Sequence, residues 1–345
     1  MSDPTTRPLG VPNFSPLPYG VFDLNPHIQV HPGPPERIRC FVKDCKWFLQ
    51  PPTRGSSGDV CPIHGIRCHR SATYSYRDPG RNIIVSPKLL VEGVMKHEFK
   101  FEANRMGNER GEDSLTYNVF RSFQEASALH LVASLFTGTE VVRQPRLFLW
   151  GLEMTGDSLE PWDLLIAARE RFEKKLPVKR PMTEPDIALH LPGEWLLLCE
   201  AKFSSPNPVY VRGPRKDAQS LTLDELVGIY SDPALAMLDD AKIGVADRIE
   251  YQLFRNVQFT QFMARLDSPT TQPFFVNLTR HGSENDTFEH FFRLLRPEYS
   301  RRVRHLFWEQ LFTLSQLVGG RLGHLQRYFI TKTAGLKPAF NLGYF

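Results

Sequence analysis

The stretch "EPDIALHLPGEWLLLCEAKF", Glu184 to Phe203, reads as two apolar runs joined by a Pro192-Gly193-Glu194 turn, the pattern of a β-hairpin. Three charges stand where a buried hairpin should be apolar. Asp186 opens the first run, and Glu200 and Lys202 interrupt the second. Buried charges cost several kcal/mol each unless they are paired or bound to a metal. Side chains alternate along a strand, so Leu196, Leu198, Glu200 and Lys202 are expected on one face. Trp195, Leu197, Cys199, Ala201 and Phe203 then line the other. The hairpin partner carries Asp186 to the same end, so two acids and a lysine should meet at the rim of an apolar sheet. Glu184 and Glu194 read as turn residues.

The flanking segments supply the rest of a sheet. "EDSLTYNVFRSFQEASALHLVASLF" (Glu112 to Phe136) places apolar residues at helical spacing, and "RLFLW" (Arg146 to Trp150) suits a strand. A helix is expected from about Ala246 to Leu266, a strand in "PFFVNL", and a helix through "PEYSRRVRHLFWEQLFTLSQL", with Pro297 near its first turn. Helix, strands, helix, strand, helix gives an α/β fold around a mixed central sheet.

The three charged residues suit phosphodiester hydrolysis. Mg²⁺ prefers oxygen ligands and takes one or two carboxylates, leaving room for water and phosphate. A bound ion polarises the phosphoryl oxygen and generates the nucleophile, while a lysine orients water or stabilises developing charge. "Pro185-Asp186 … Glu200-Ala201-Lys202" resembles the PD-(D/E)xK signature of restriction-endonuclease-like nucleases, and the thirteen residues between Asp186 and Glu200 suit that family's hairpin. The resemblance covers roughly residues 107–276 and implies a restriction-endonuclease-like core. It implies further that Asp186 and Glu200 hold Mg²⁺ (or Mn²⁺) and that Lys202 positions the nucleophile. Members carry another glutamate on the helix before the first core strand, a slot that Glu112 fills in preference to Asp113. A polar residue on the helix after the hairpin corresponds to Gln252. The expected activity is a DNA phosphodiesterase acting preferentially on double strands, in foreign-DNA defence or repair. The alternatives are a nuclease acting on RNA, and a nucleic-acid-binding or assembly protein that keeps the fold without the chemistry.

A second pattern lies upstream. Four of the five cysteines fall between Cys40 and Cys68. Cys40-x4-Cys45, a spacer of fifteen residues, then Cys61-x2-His64 is a ligand set for a structural tetrahedral Zn²⁺. Cys68 and His69 are rival fourth ligands, and His64 is preferred because its separation from Cys61 makes a tight knuckle. Within this module "TYSY" reads as β-rich, "RDPGRN" as a turn and "IIV" as a continuing strand. The module's nine Lys/Arg against four Asp/Glu would suit a phosphate backbone.

The chain thus divides into a proline-rich arm (1–35), a zinc-binding module (36–81) and a nuclease domain (82–345), with Phe14, Tyr19 and Phe22 as candidates to pin the arm. A net charge of +4 over 345 residues is too weak by itself to identify a nucleic-acid partner. No apolar run approaches the ~20 residues of a membrane span, and the start lacks a secretory signal core. A cytoplasmic protein with no membrane partner is expected, with oligomerisation possible. Arg212, Arg215 and Lys216 after the hairpin are candidate DNA-phosphate contacts, whereas "RRVRH" (Arg301 to His305) reads as a solvated helix face. The sequons at Asn277 and Asn285 would go unused in the cytosol.

Overall fold

The computed structural model describes residues 21–24, 28, 38–53, 58–69, 73–97, 106–155, 158–174, 176, 182–214, 221–232 and 234–344. Phe14, Tyr19, Arg215 and Lys216 lie outside them. The centre is a seven-stranded mixed sheet. Its strands, in chain order, are β1 (Arg146–Leu149), β2 (Leu152–Thr155), β3 (Ser158–Pro161), β4 (Ile187–Leu191), β5 (Trp195–Ala201), β6 (Gln272–Thr279) and β7 (Val303–Phe307). They are arranged β7-β6-β5-β4-β1-β2-β3. β5 pairs antiparallel with β4 and parallel with β6, which pairs parallel with β7. Every residue of β4 and β5 is buried, which is why both read as largely apolar runs, broken only by His190 and Glu200.

The alternation read from the hairpin separates two cores. Trp195, Leu197, Cys199, Ala201 and Phe203 belong to one, and Leu196 and Leu198 to the other. On the first face lie α1 (Glu112–Glu125), α2 (Leu129–Thr137), α5 (Trp308–Val318) and α6 (Gly323–Thr331). On the second lie α3 (Asp163–Phe172) and α4 (Tyr251–Asp267). The result is an α/β architecture with helices on both faces of the sheet.

A third, small core gathers Cys40, Phe41, Val42, Cys45, Leu49, Cys61, Ile66, Cys68, Tyr74 and Tyr76. Two short antiparallel pairs frame it, Ile38–Arg39 with Phe48–Leu49 and Ile66–Cys68 with Tyr74–Tyr76. In the arm, Phe22 packs against the first core with the Arg327 guanidinium 4.7 Å from its ring centroid.

Several boundaries differ from those expected. "RLFLW" stops at Leu149, because Trp150 (φ 54°) and Gly151 (φ 84°) form the two-residue turn into β2. Positive φ at both positions matches the twist of an antiparallel pair. The segment from Glu112 to Phe136 is two helices, broken where Ser127 takes a left-handed φ of 52°. "IIV" is not a strand; Ile83 and Val85 face the first core from irregular chain. The helix expected from Ala246 starts at Tyr251, since Arg248–Glu250 pairs antiparallel with the β-branched edge Val209–Val211. "PEYSRRVRHLF" is a 3₁₀ turn (Pro297–Arg302) followed by the edge strand β7. Here pairing with β6 overrides helical propensity. Arg304 and His305 are therefore no solvated helix face: Arg304 Nη1 donates to Leu135 O (2.6 Å), and His305 Nε2 meets Thr279 Oγ1 (2.8 Å). Among the described residues no helix is long and apolar enough to cross a membrane.

Candidate functional site

At the carboxyl end of β5 the chain leaves the sheet with its charges on the second-core face. Glu200 is 2% exposed and Lys202 7% exposed, so neither charge is met by bulk water. Lys202 Nζ lies 2.5 Å from Glu200 Oε1 and 3.6 Å from Glu112 Oε1. Glu112 is the first residue of α1, and its other oxygen accepts the Phe203 N–H (2.8 Å). Asp186, just before β4, accepts the Ala201 N–H on Oδ2 (2.8 Å). The Lys202 backbone is held on both sides, its N–H by Leu278 O (2.7 Å) and its carbonyl by Trp308 Nε1 (3.1 Å). Glu112, Asp186, Glu200 and Lys202, drawn from three separate segments, thus occupy one place.

The electrostatics of that place are unbalanced, with three carboxylates around one lysine. Burial pushes the Glu112 carboxyl up to about 7, reinforced by Glu200 and opposed by Lys202. Burial, with Glu200 as the next cause, holds Asp186 well above the usual carboxylate range. Burial works against the Lys202 charge, but Glu200, Glu112 and Asp186 together hold its pKa above the ordinary lysine value. A carboxyl raised on folding favours the folded state most below its ordinary pKa, and that contribution is lost as pH rises through the folded value. The metal-free protein is therefore expected to lose stability from about pH 4.5 to about 7 through Glu112. Asp186 acts in the same direction. Thermal melts across that range should show a shallower fall for Glu112→Gln than for wild type.

The helix after the hairpin presents a different polar residue from the one expected. Asn256 is fully buried and its Nδ2 donates to Glu200 Oε2 (2.6 Å). Gln252 lies one turn earlier on the same face of α4, with Oε1 buried and without a hydrogen-bond partner. Asn277 on β6 stands in register beside Glu200, accepting from Asn207 Nδ2 (3.3 Å), and its own Nδ2 is buried and unpartnered. Asn256→Asp would set a further carboxyl directly against Glu200 Oε2. It is expected to cost ~1–3 kcal/mol at neutral pH, the loss shrinking as pH falls. Equal melting temperatures for this variant and wild type at pH 7.5 would remove the Asn256–Glu200 contact from the account.

The second cluster is in the small module. Cys40, Cys45, Cys61 and His64 are buried, and one ligand atom from each lies within 4.8 Å of all the others. Cys40 Sγ and Cys61 Sγ are each 3.4 Å from His64 Nδ1, and Cys45 Sγ is 3.9 Å from Cys61 Sγ. A tetrahedron with Zn–S of about 2.3 Å and Zn–N of about 2.0 Å has edges of about 3.8 and 3.5 Å, so the set fits this ion. Hydrogen bonds from Cys40 and Cys61 pull the Cys45 thiol down, while Cys40 is pushed up by Cys45 and Cys61. Three thiols this close share their negative charge poorly without a cation. Cys68 is buried but stands apart, its Sγ against His69 O (3.4 Å), and the His69 ring meets Asn108 Nδ2 (3.4 Å). A full set of four ligands leaves no open position, which suits a structural ion.

Of the basic loop after the hairpin, Arg212 is already engaged. Its Nη1 lies 2.6 Å from Asp224 Oδ1 and its Nε donates to Ala246 O. No family model matches the sequence, and no curated protein or solved structure shows significant similarity to it.

Proposed function

We propose that this chain is a metal-dependent nuclease of the restriction-endonuclease-like type, hydrolysing phosphodiester bonds of DNA. The observation that carries the proposal is the meeting of Glu112, Asp186, Glu200 and Lys202 at the end of one central strand. The order helix α1, strand β1, hairpin β4–β5, helix α4 and strand β6 supports the same reading.

The donor set suits a divalent cation in its chemistry. Two raised carboxyls and a third acid exceed the single lysine that faces them, and oxygen donors are what Mg²⁺ or Mn²⁺ takes. Asp186 and Glu200 would hold the ion, which when bound supplies Lewis acidity toward the phosphate and lowers the pKa of a water. Lys202 Nζ, fixed between Glu200 and Glu112, orients the attacking water and stabilises charge growing on the phosphate. Glu112, with its carboxyl near 7, accepts a proton at Oε1, directly or through water. Burial of Glu200 and Lys202 keeps these charges from being screened.

The test is cleavage of linear, circular and single-stranded DNA, and of RNA, in Mg²⁺ or Mn²⁺. Nicking by wild type that Lys202→Ala retains in full would overturn the assignment. A second reading, a nucleic-acid-binding protein without chemistry, draws on Glu200, both of whose oxygens already have protein partners in Lys202 and Asn256. DNA binding that survives chelation, with no nicking in any metal, would favour it.

A further inference from the structure

Beside the acidic cluster lies an open cleft of about 390 Å³, lined by Glu112, Asp113, His69, Arg110, Ser204 and Ser205 among others. Its walls come from both parts of the chain. His69 directly follows the module strand Ile66–Cys68, and Ser204 and Ser205 follow Lys202 and Phe203. The segment between them is anchored on the module, where Asn108 bridges to Ser75 and the Glu109 N–H donates to Tyr74 O. Ser204 Oγ donates to Arg110 O (3.2 Å), and Arg110 Nη2 donates to Ser204 O (3.4 Å), which ties the two walls together.

Arg110 is the unusual member. It is half-buried, two residues from Glu112, yet among the described residues its guanidinium makes no ion pair. Among the described residues the guanidinium's one hydrogen bond is a long one to a carbonyl, so most of the five-donor fork is uncommitted there. A planar guanidinium left this way is set for an anion, and two phosphate oxygens match its fork in two-bond geometry.

We infer that Arg110, with Ser204 and Ser205, forms an anion subsite for a DNA phosphate next to the one cut, so that the cysteine–histidine module makes one wall of the substrate channel. This rests on the nuclease reading above. The volume is at the small end for ligand pockets (~300–1,000 Å³), which suits one nucleotide unit of the cut strand rather than the width of a duplex. The scissile phosphate then lies at the Glu112 end and its neighbour at the Arg110 end.

The probe is a fluorescently labelled 12-base-pair DNA duplex, its cleavage followed in Mg²⁺ and its binding by anisotropy in Ca²⁺. Arg110→Ala is expected to lower kcat/KM about tenfold, with the loss in KM, and to weaken binding alike. The slope of log affinity against log salt should fall by about 1, as for one phosphate contact removed. Arg110→Lys restores the slope but only part of the affinity, because the charge returns without the fork. Ser205→Glu, at an exposed position, should reproduce the loss by adding negative charge, and it serves if Arg110→Ala fails to fold. Wild-type KM and salt slope in both Arg110→Ala and Ser205→Glu overturn the subsite while leaving the nuclease intact. A wild type that neither binds nor cuts this duplex overturns both readings.

Discussion

Lys202→Ala is expected to lower plasmid cleavage by at least about a hundredfold, the scale of losing one preorganised charge-stabilising donor. The same change strips the cation that is ion-paired with Glu112 and Glu200 and leaves buried acids facing one another. Removing one partner of a buried pair costs ~3–5 kcal/mol, so the fold itself is at risk and activity alone would be ambiguous. Three readouts separate the causes. If the acids bind a divalent ion, Mg²⁺ should raise the melting temperature of Lys202→Ala by more than it raises that of wild type. Acidification should stabilise the variant as well, by neutralising Glu112 and Asp186. Lys202→Arg should stay folded and still cut poorly, since the guanidinium is wider than the ammonium that sits 2.5 Å from Glu200. A Lys202→Arg enzyme with wild-type rates would show that any positive charge suffices and would take the nucleophile-orienting role away from this side chain.

The other large effect is expected from the cysteine–histidine cluster. Purified protein should contain one zinc per chain, and Cys45→Ser should lose it. The small core has ten residues, and three of them are the thiol ligands themselves. So little apolar surface cannot hold a fold without a staple. Structural zinc supplies on the order of 10–16 kcal/mol of apparent binding free energy in small zinc folds, so chelation should unfold the module outright. The measurement is limited proteolysis with and without chelator, followed at residues 38–81. Substoichiometric zinc in fully folded wild type would count against the site. Through Asn108 and Glu109, which lean on Ser75 and Tyr74, loss of the module should also loosen Arg110 and widen the cleft.

The hairpin was legible in the sequence because a period of two is a local property. Once β5 was recognised, the faces of Glu200 and Lys202 followed from counting residues, and the two cores divide along that line. The cysteine cluster was legible for a similar reason, since its ligands come as two short pairs. Glu112 came from the family resemblance, which expects a glutamate on the helix before the first core strand, and the structure sets it against Phe203 and Lys202. What escaped depended on phase and register. The rotation of α4 follows from where it begins, and with Tyr251 as its first residue the contact to Glu200 falls on Asn256, a turn beyond Gln252. Asn277 stands beside Glu200 through the β5–β6 register, which is set by long-range pairing. Strand β7 was hidden for the same reason. Its five residues pair with β6, and nothing in "VRHLF" marks it as different from the helix that follows.

The contacts that make the acidic cluster join distant parts of the chain. Phe203 meets Glu112 across 91 positions, Glu200 meets Asn256 across 56, and Trp308 holds the Lys202 carbonyl across 106. Contacts of such range close late, because the loops between them must be ordered first. During synthesis the complete signature from Asp186 to Lys202 leaves the ribosome before α4, β6 and Trp308 exist to hold it. A nascent or truncated chain therefore carries the four charged residues without their arrangement. The topology works as a timer, and whatever chemistry the cluster performs is withheld until the chain through Trp308 has folded.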